Sequence, residues 1–135
     1  MDQVLAVSRT FKPAGSRSGL VQIASGPKQT TDATTTKIIS IPVAELESIG
    51  FEGLLVGTQS DYSDQIVVKI SGGARRATAG NVTLTGTTTV TILESDASTN
   101  ATVTADTTNQ NVDINGVGIA SQTWNWEVFG TKFSV

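Results

Sequence analysis

Apolar residues alternate with other residues over most of the chain after Thr30. In "QIVVKIS" (65–71), Ile66, Val68 and Ile70 share one side of an extended backbone. Because successive side chains of a β-strand point to opposite faces, this two-residue period predicts a strand with one buried face. The same period occurs in "NVTLTG" (81–86), "TTVTILE" (88–94) and "NVDING" (111–116).

Turn-forming segments such as "SGG", "SDASTN" and "TTNQN" separate these runs at short intervals. Further strands are predicted at 36–41, 51–57, 75–79 and 101–106. Short strands separated by turns at such regular intervals are typical of antiparallel two-sheet folds. The sequence therefore predicts an all-β protein, an antiparallel, jelly-roll-like β-sandwich. One segment, "PVAELESIG" (42–50), also fits a short helix, with Pro42 in its first turn and Gly50 after its end.

The closing segment "ASQTWNWEVFGTKFSV" (120–135) holds both tryptophans and two of the four phenylalanines. Trp124, Trp126 and Val128 fall on one side of an extended chain, whereas Phe129 falls on the other. This spacing predicts a core strand at the end of the chain. Burial of the two indoles is expected to stabilise the domain by several kcal/mol.

Composition excludes several classes of chemistry. The chain has 135 residues, enough for one domain, and its 21 threonines and 13 glycines favour β-structure and turns. Cysteine and histidine are both absent, which excludes thiol nucleophiles, Ser-His-Asp arrangements and the commonest zinc sites. No apolar run is long enough for a membrane span, so none is expected.

Charge separates the start of the chain from the rest. Residues 1–31 carry a balance of +3, whereas the remaining residues carry −6. Pro13, Gly15 and Gly19 in "RTFKPAGSRSG" are typical of irregular backbone. We therefore predict an N-terminal arm at 1–28 and a sandwich domain at 29–135.

Basic residues of this arm are candidates for docking on an acidic partner surface. They are Arg9, Lys12 and Arg17. The alternative is a solvated leader that only reaches the first strand. Few, dispersed charges without interleaved aromatic residues do not indicate nucleic-acid binding.

Two acidic segments are candidate sites of chemistry. The first, "DTTNQNVD", offers the oxygen ligands that calcium prefers, but not at EF-hand spacing. Its candidate ligands are Asp106, Asn109, Asn111 and Asp113. The alternative is a polar hairpin turn, and we predict no metal site and no cofactor.

In the second acidic segment, "SDYSD", Asp61 and Asp64 flank Tyr62, and a carboxylate pair can cleave glycosides. A solvated loop tip is the preferred interpretation, and no catalytic residue is predicted.

In "GGARRA", Arg75 and Arg76 are adjacent, so on a strand they point to opposite faces. One of them is a candidate to bind an anionic glycan or an acidic subunit across an interface. The alternative is a pair of solvated surface arginines that contribute little.

The order of several motifs resembles the C-terminal β-domains of tail-fibre and related virion surface proteins of tailed bacteriophages. These motifs are "TTDATTTKIISIPV", "FEGLLVGTQSD", "IVVKISGGARRA", "NVTLTGTTTVTILESD" and "ATVTADTTNQNVDINGVGIASQTWNW". The likeness covers about Thr30 to Trp126 and rests on a Thr-rich start, an "IP" strand end, a glycine-flanked basic stretch and an "NW" pair. Such domains are exposed virion parts, commonly trimers, that bind host surfaces or other virion proteins.

The resemblance implies a non-enzymatic structural protein at the virion surface, synthesised in the host cytoplasm. With only about 30 residues before the domain and no heptads, the chain suits a capsid decoration protein or a small fibre subunit. Phe129 and Phe133 are then expected to pack against a neighbouring subunit, and the tryptophans to fill the core or the region near a threefold axis. A receptor-binding tail-fibre head that attaches to a host glycan or protein is the alternative. A cellular carbohydrate-binding module is a third option, disfavoured by the scarcity of aromatic residues.

Overall fold

The computed structural model describes residues 19–135, and every regular element in this range is a β-strand. The strands are β1 (Gly19–Ala24), β2 (Lys28–Thr30), β3 (Thr35–Pro42), β4 (Glu47–Gln59), β5 (Gln65–Arg76), β6 (Thr83–Leu84), β7 (Thr89–Glu94), β8 (Asn100–Asp106), β9 (Asn111–Val117) and β10 (Trp124–Ser134). Within the described range there is no helix long and apolar enough to cross a membrane. The predicted all-β class is confirmed.

The strands form two antiparallel sheets that pack as a sandwich. The large sheet has the order β1-β10-β4-β5-β6, with β2 also paired to β10 and β7 also paired to β5. Because β1 and β2 pair with successive parts of β10, and β6 and β7 with different parts of β5, this sheet is five strand positions wide. The small sheet has the order β3-β9-β8.

The core lies between the two sheets and includes the closing aromatics. Trp124 and Trp126 are fully buried, and Val128 is 2% exposed, as the two-residue period of β10 predicts. The centroids of the indole rings of Trp124 and Trp126 are 6.0 Å apart. From the other strands the core takes mainly β-branched and leucine side chains, among them Ile41, Leu55, Ile66, Val68, Ile70, Val112 and Ile114. The prediction that the tryptophans fill the core is confirmed.

Trp126 occupies a slot between two glycines on opposite sheets. A Cβ atom added at Gly57 of β4 would lie 2.6 Å from Cε3 of Trp126, and one at Gly116 of β9 would lie 2.8 Å from the same atom. Real Cβ atoms do not approach other atoms so closely. The absence of side chains at both positions therefore makes room for the largest residue of the core.

The segment at 42–50 is not a helix. Strand β3 ends at Pro42 and β4 begins at Glu47, with a turn between them in which Leu46 has a φ of 61°. Glu47 Oε1 accepts a hydrogen bond of 2.8 Å from the Ala44 backbone amide, which closes the turn locally. Pairing with β10 then places Ile49 in the core, so sheet formation overrides the weak helical signal.

Two strand boundaries also differ from the prediction. The basic stretch predicted as a separate strand at 75–79 is the end of β5, which continues to Arg76. The strand predicted at 81–86 is reduced to Thr83–Leu84, because only its centre pairs with β5.

The predicted boundary of the N-terminal arm is wrong for its last third. Strand β1 (Gly19–Ala24) pairs residue by residue with β10 from Ser134 to Phe129, and Lys28 begins β2. Both strands cover the side of β10 that is opposite to β4, so they belong to the sandwich. The predicted docking residues, Arg9, Lys12 and Arg17, lie outside the described residues.

Candidate interaction surface

The large sheet has one side toward the core and one side away from it, and we call the second side the outer face. It carries several large apolar side chains that stay exposed, with Phe129 at 59% and Phe133 at 51%. The others are Leu20, Leu54, Val56 and Leu93. Soluble monomers rarely keep so many large apolar side chains together on one exposed surface. The outer face is therefore the candidate functional site.

Strand register brings these side chains together. Leu54 of β4 pairs with Phe129 on one side and with Lys69 on the other. Two residues further along β4, Val56 pairs with Val67 of β5, and Val67 pairs in turn with Leu93 of β7. Directly opposed residues of antiparallel strands have Cβ atoms roughly 4.5–5.5 Å apart, so these side chains form one patch.

Phe133 stands beside a hollow made by glycines. It pairs with Leu20 on β1 and with Gly50 on β4, and Gly50 pairs in turn with Gly73 on β5. A Cβ atom at Gly50 would have no heavy atom within 4 Å. A surface depression of about 310 Å³ lies between Phe133 and Ser71. Gly50 and Gly72 line this depression, so the missing side chain at Gly50 leaves an open space next to an exposed aromatic ring.

A second depression adjoins the first. It measures about 470 Å³ and is bounded by Leu54, Lys69 and Phe129. Glu52 and Thr131 line both depressions. Together they form a shallow groove between the two exposed phenylalanine rings, wide enough to accept side chains of another molecule.

Acidic and basic residues lie on different strands of the outer face. Glu127 on β10 and Glu52 on β4 are exposed on this face, where Glu127 pairs with Val56 and Glu52 with Thr131. Lys69 and Arg75, both on β5, are exposed on the same face. We call the β10–β4 side the acidic half and the β5–β7 side the basic half.

Three of the four predicted interface residues lie on this face. Arg75, Phe129 and Phe133 are all exposed there, although β5 and β10 are separated by β4. Arg76 points to the other side of β5, where its Nε donates a hydrogen bond of 2.8 Å to the Gly80 carbonyl oxygen. Arg76 therefore holds the turn after β5.

Sequence reasoning missed the aliphatic part of the patch. Leu54 and Val56 lie next to the buried Leu55 in the run "GLLVG", and such a run places apolar side chains on both faces of a strand. That continuous run is the signal that could have revealed a second apolar face. Leu93 carries the same signal, since it directly follows Ile92 and therefore points to the opposite face of β7.

The candidate cation ligands form a hairpin turn. Asp106 Oδ1 accepts hydrogen bonds of 3.0 Å from the amides of Thr108 and Asn109, and its Oδ2 accepts one of 2.9 Å from Asn109 Nδ2. These bonds, chiefly those from Asn109, lower the pKa of Asp106, and the charge of Lys37 adds to the effect. Asp113 instead accepts a 2.7 Å bond from Ser40 Oγ. Over residues 19–135, no three acidic side chains are close enough together to hold a metal ion.

The second acidic segment forms the turn between β4 and β5. Asp61 Oδ1 accepts hydrogen bonds of 2.6 Å from Ser63 Oγ and 3.0 Å from the Ser63 amide, which lower the pKa of Asp61. Asp64 closes the same turn, its carbonyl oxygen accepting from the Gln59 amide at 3.0 Å. Tyr62 at the tip is 81% exposed and has a φ of 64°. The Asp61 carboxylate is thus engaged in fixing a loop.

Comparison of the chain with known proteins finds no matching family model, no matching curated protein and no matching solved structure.

Proposed function

We propose that this chain is a non-enzymatic structural protein of a bacteriophage virion, exposed at the particle surface as a capsid decoration protein or a small fibre subunit. It assembles with copies of itself, as a trimer, through the outer face, and it attaches to other virion proteins. The exposed pair Phe129 and Phe133 beside the glycine hollow is the observation that carries the proposal.

The free energy available on this face supports self-assembly. An aromatic side chain buries roughly 150–250 Å², and burial is worth about 25 cal/mol per Å². Since each phenylalanine is about half exposed in the single chain, covering the rest of each ring is worth roughly 2–3 kcal/mol. Stable interfaces between proteins have an apolar centre and a charged rim. The two phenylalanine rings and the aliphatic patch would form such a centre.

The phage context rests on the order of the sequence motifs. Five consecutive segments from about Thr30 to Trp126 resemble, in their order, the virion β-domains described above. The engagement of Asp61 and Asp106 in their own turns supports the non-enzymatic part of the proposal.

Two measurements test the proposal. Immunogold labelling of particles of the encoding phage, with an antibody against the chain, is expected to decorate the capsid or the tail. Sedimentation of the purified chain is expected to give a trimer. Unlabelled particles in which mass spectrometry also fails to detect the chain would exclude the virion role, whatever the oligomeric state.

A receptor-binding head is the second candidate, and Tyr62 favours it. This ring is the exposed aromatic at the tip of the β4–β5 turn, held there with a backbone conformation that tyrosine rarely adopts. If the chain attaches to host cells, Tyr62→Ala is expected to reduce adsorption of the phage without changing particle assembly. Equal adsorption of wild-type and Tyr62→Ala phage would argue against this candidate.

A further inference from the structure

The two halves of the outer face differ in both charge and shape. The acidic half carries Glu52 and Glu127 together with the rings of Phe129 and Phe133. The basic half carries Lys69 and Arg75 and the smaller aliphatic side chains of Val67 and Leu93. Each half is therefore complementary to the other half of a second copy, and each half repels its own equivalent.

We infer that the outer face binds a second copy of this chain, with the acidic half of one copy on the basic half of the next. The inference rests on the self-assembly proposed above and specifies which surfaces meet. Phe129 then packs on Val67 and Leu93, which pair with each other in one row of the basic half, and the carboxylates of the acidic half face the cations of the basic half. Contact between two acidic halves would instead bring four carboxylates together in a partly dehydrated interface, which is unfavourable.

The dimensions of the face suit such an assembly. Five strand positions about 4.8 Å apart, and the part of β4 from Ser48 to Val56 at about 3.4 Å per residue, give roughly 20 by 30 Å. The whole face covers roughly 600 Å², so one contact between an acidic and a basic half covers roughly 300 Å² on each copy. A copy that uses both halves buries roughly 600 Å² in two contacts, which together come near the roughly 800 Å² per partner of a standard interface. Because a copy that uses both halves contacts two neighbours, repetition of the contact around a threefold axis gives the closed trimer proposed above.

Two variants that each block one half test the inference. Phe129→Arg blocks the acidic half and Leu93→Arg blocks the basic half, and both positions are exposed, so the fold is expected to persist. Each variant alone is expected to sediment as a monomer. An equimolar mixture is expected to give a dimer of one copy of each variant, because each retains the half that the other lacks. Thr107→Arg, in the β8–β9 turn, adds the same charge away from the face and serves as the control.

Charge reversal provides the second measurement. Lys69→Glu with Arg75→Glu is expected to weaken assembly about tenfold or more, and adding Glu52→Lys with Glu127→Lys to the same chain is expected to restore it. Circular dichroism verifies the fold of every variant. Assembly of either arginine variant alone at wild-type affinity, or a mixture that stays monomeric, would overturn the inference. A monomeric wild-type chain that is nevertheless found on particles would overturn it too, while leaving the virion role intact.

Discussion

The indole Nε1 of Trp126 donates a hydrogen bond of 3.0 Å to Oγ1 of Thr30, a residue 96 positions earlier in the chain. Both residues are buried, so the bond satisfies an indole N–H that no water reaches. Thr30 is the last residue of β2 and Trp126 lies near the start of β10. This bond therefore joins the two ends of the described chain inside the core.

Thr30→Val removes the acceptor while keeping the shape of the side chain. The indole N–H is then buried without a partner, and we expect the free energy of unfolding to fall by about 1–3 kcal/mol. Urea denaturation measured by tryptophan fluorescence tests this. Thr31→Val at the neighbouring exposed position is the control, and an equal effect of both changes would show that the bond contributes nothing specific.

Two glycines of β4 are predicted to respond in opposite ways to alanine. Gly57→Ala places a methyl group 2.6 Å from the Trp126 ring, so a loss of about 1–3 kcal/mol is expected from overpacking. Gly50→Ala meets no atom within 4 Å and is expected to leave the stability of the single chain unchanged or slightly raised. Thermal unfolding of the two variants under the same conditions measures this difference in stability. Equal melting temperatures would contradict the prediction that Gly57 makes room for Trp126.

Truncation at two positions tests the revised boundary of the N-terminal arm. Removal of residues 1–18 leaves all ten strands in the chain and is expected to preserve the fold while abolishing attachment to the particle. Removal of residues 1–28 also deletes β1 and the paired amide of Ser25, which donates to the Val128 carbonyl at 2.9 Å. Because several hydrogen bonds worth about 1 kcal/mol each are lost, a drop of roughly 3 kcal/mol or more is expected. Denaturation curves that coincide for the two truncations would show that β1 is dispensable.

Glu47 is predicted to make stability depend on acid pH. Burial raises its pKa, but hydrogen bonds from Ser134 Oγ and the Ala44 amide, with the charge and hydrogen bond of Lys132, outweigh it and lower the pKa below the ordinary 4.5. Lys132 Nζ lies 3.5 Å from Glu47 Oε2. The pKa of Glu47 is lower in the folded state than in the unfolded state, so the ionised carboxylate stabilises the fold. This stabilisation is complete above pH 4.5 and is lost as the pH falls through the folded-state pKa.

Glu47→Gln checks this dependence. We expect the variant to be less stable than the wild type at neutral pH by about 1–3 kcal/mol, because charged hydrogen bonds are lost, and to lose less further stability below pH 4.5. Part of the acid sensitivity remains, since Asp61 and Asp106 also have lowered pKa values. Urea midpoints at a series of pH values provide the measurement, and parallel profiles for wild type and variant would contradict the assignment.

Phe133→Ala is predicted to weaken assembly and spare the fold. It removes apolar area from the outer face, where the ring is half exposed, and a loss of roughly 2 kcal/mol corresponds to about a 30-fold weaker association. Trp126→Ala, which empties the centre of the core, is expected to unfold the domain instead. Sedimentation equilibrium and circular dichroism separate the two effects. A wild-type oligomer in the Phe133→Ala protein would remove this residue from the interface.

The sequence alone determined the elements and the inward sides of several strands. The two-residue period of β10 placed Trp124, Trp126 and Val128 on one side, and all three are buried. The period within "QIVVKIS" did the same for β5. These predictions succeed because the alternation of side chains is a local property of the extended backbone, which requires no knowledge of the neighbouring strand.

The tertiary structure decided which strands pair and what their outward sides form. Gly19–Ala24 reads as part of an irregular arm until β10, more than 100 residues later, pairs with it. Similarly, Arg75 and Phe129 come to one face only because β4 lies between β5 and β10. Register and partner choice depend on how the buried sides pack together, a long-range free energy that no short window of sequence contains. The outer face is therefore a product of the assembled sheet, although each of its residues was visible from the start.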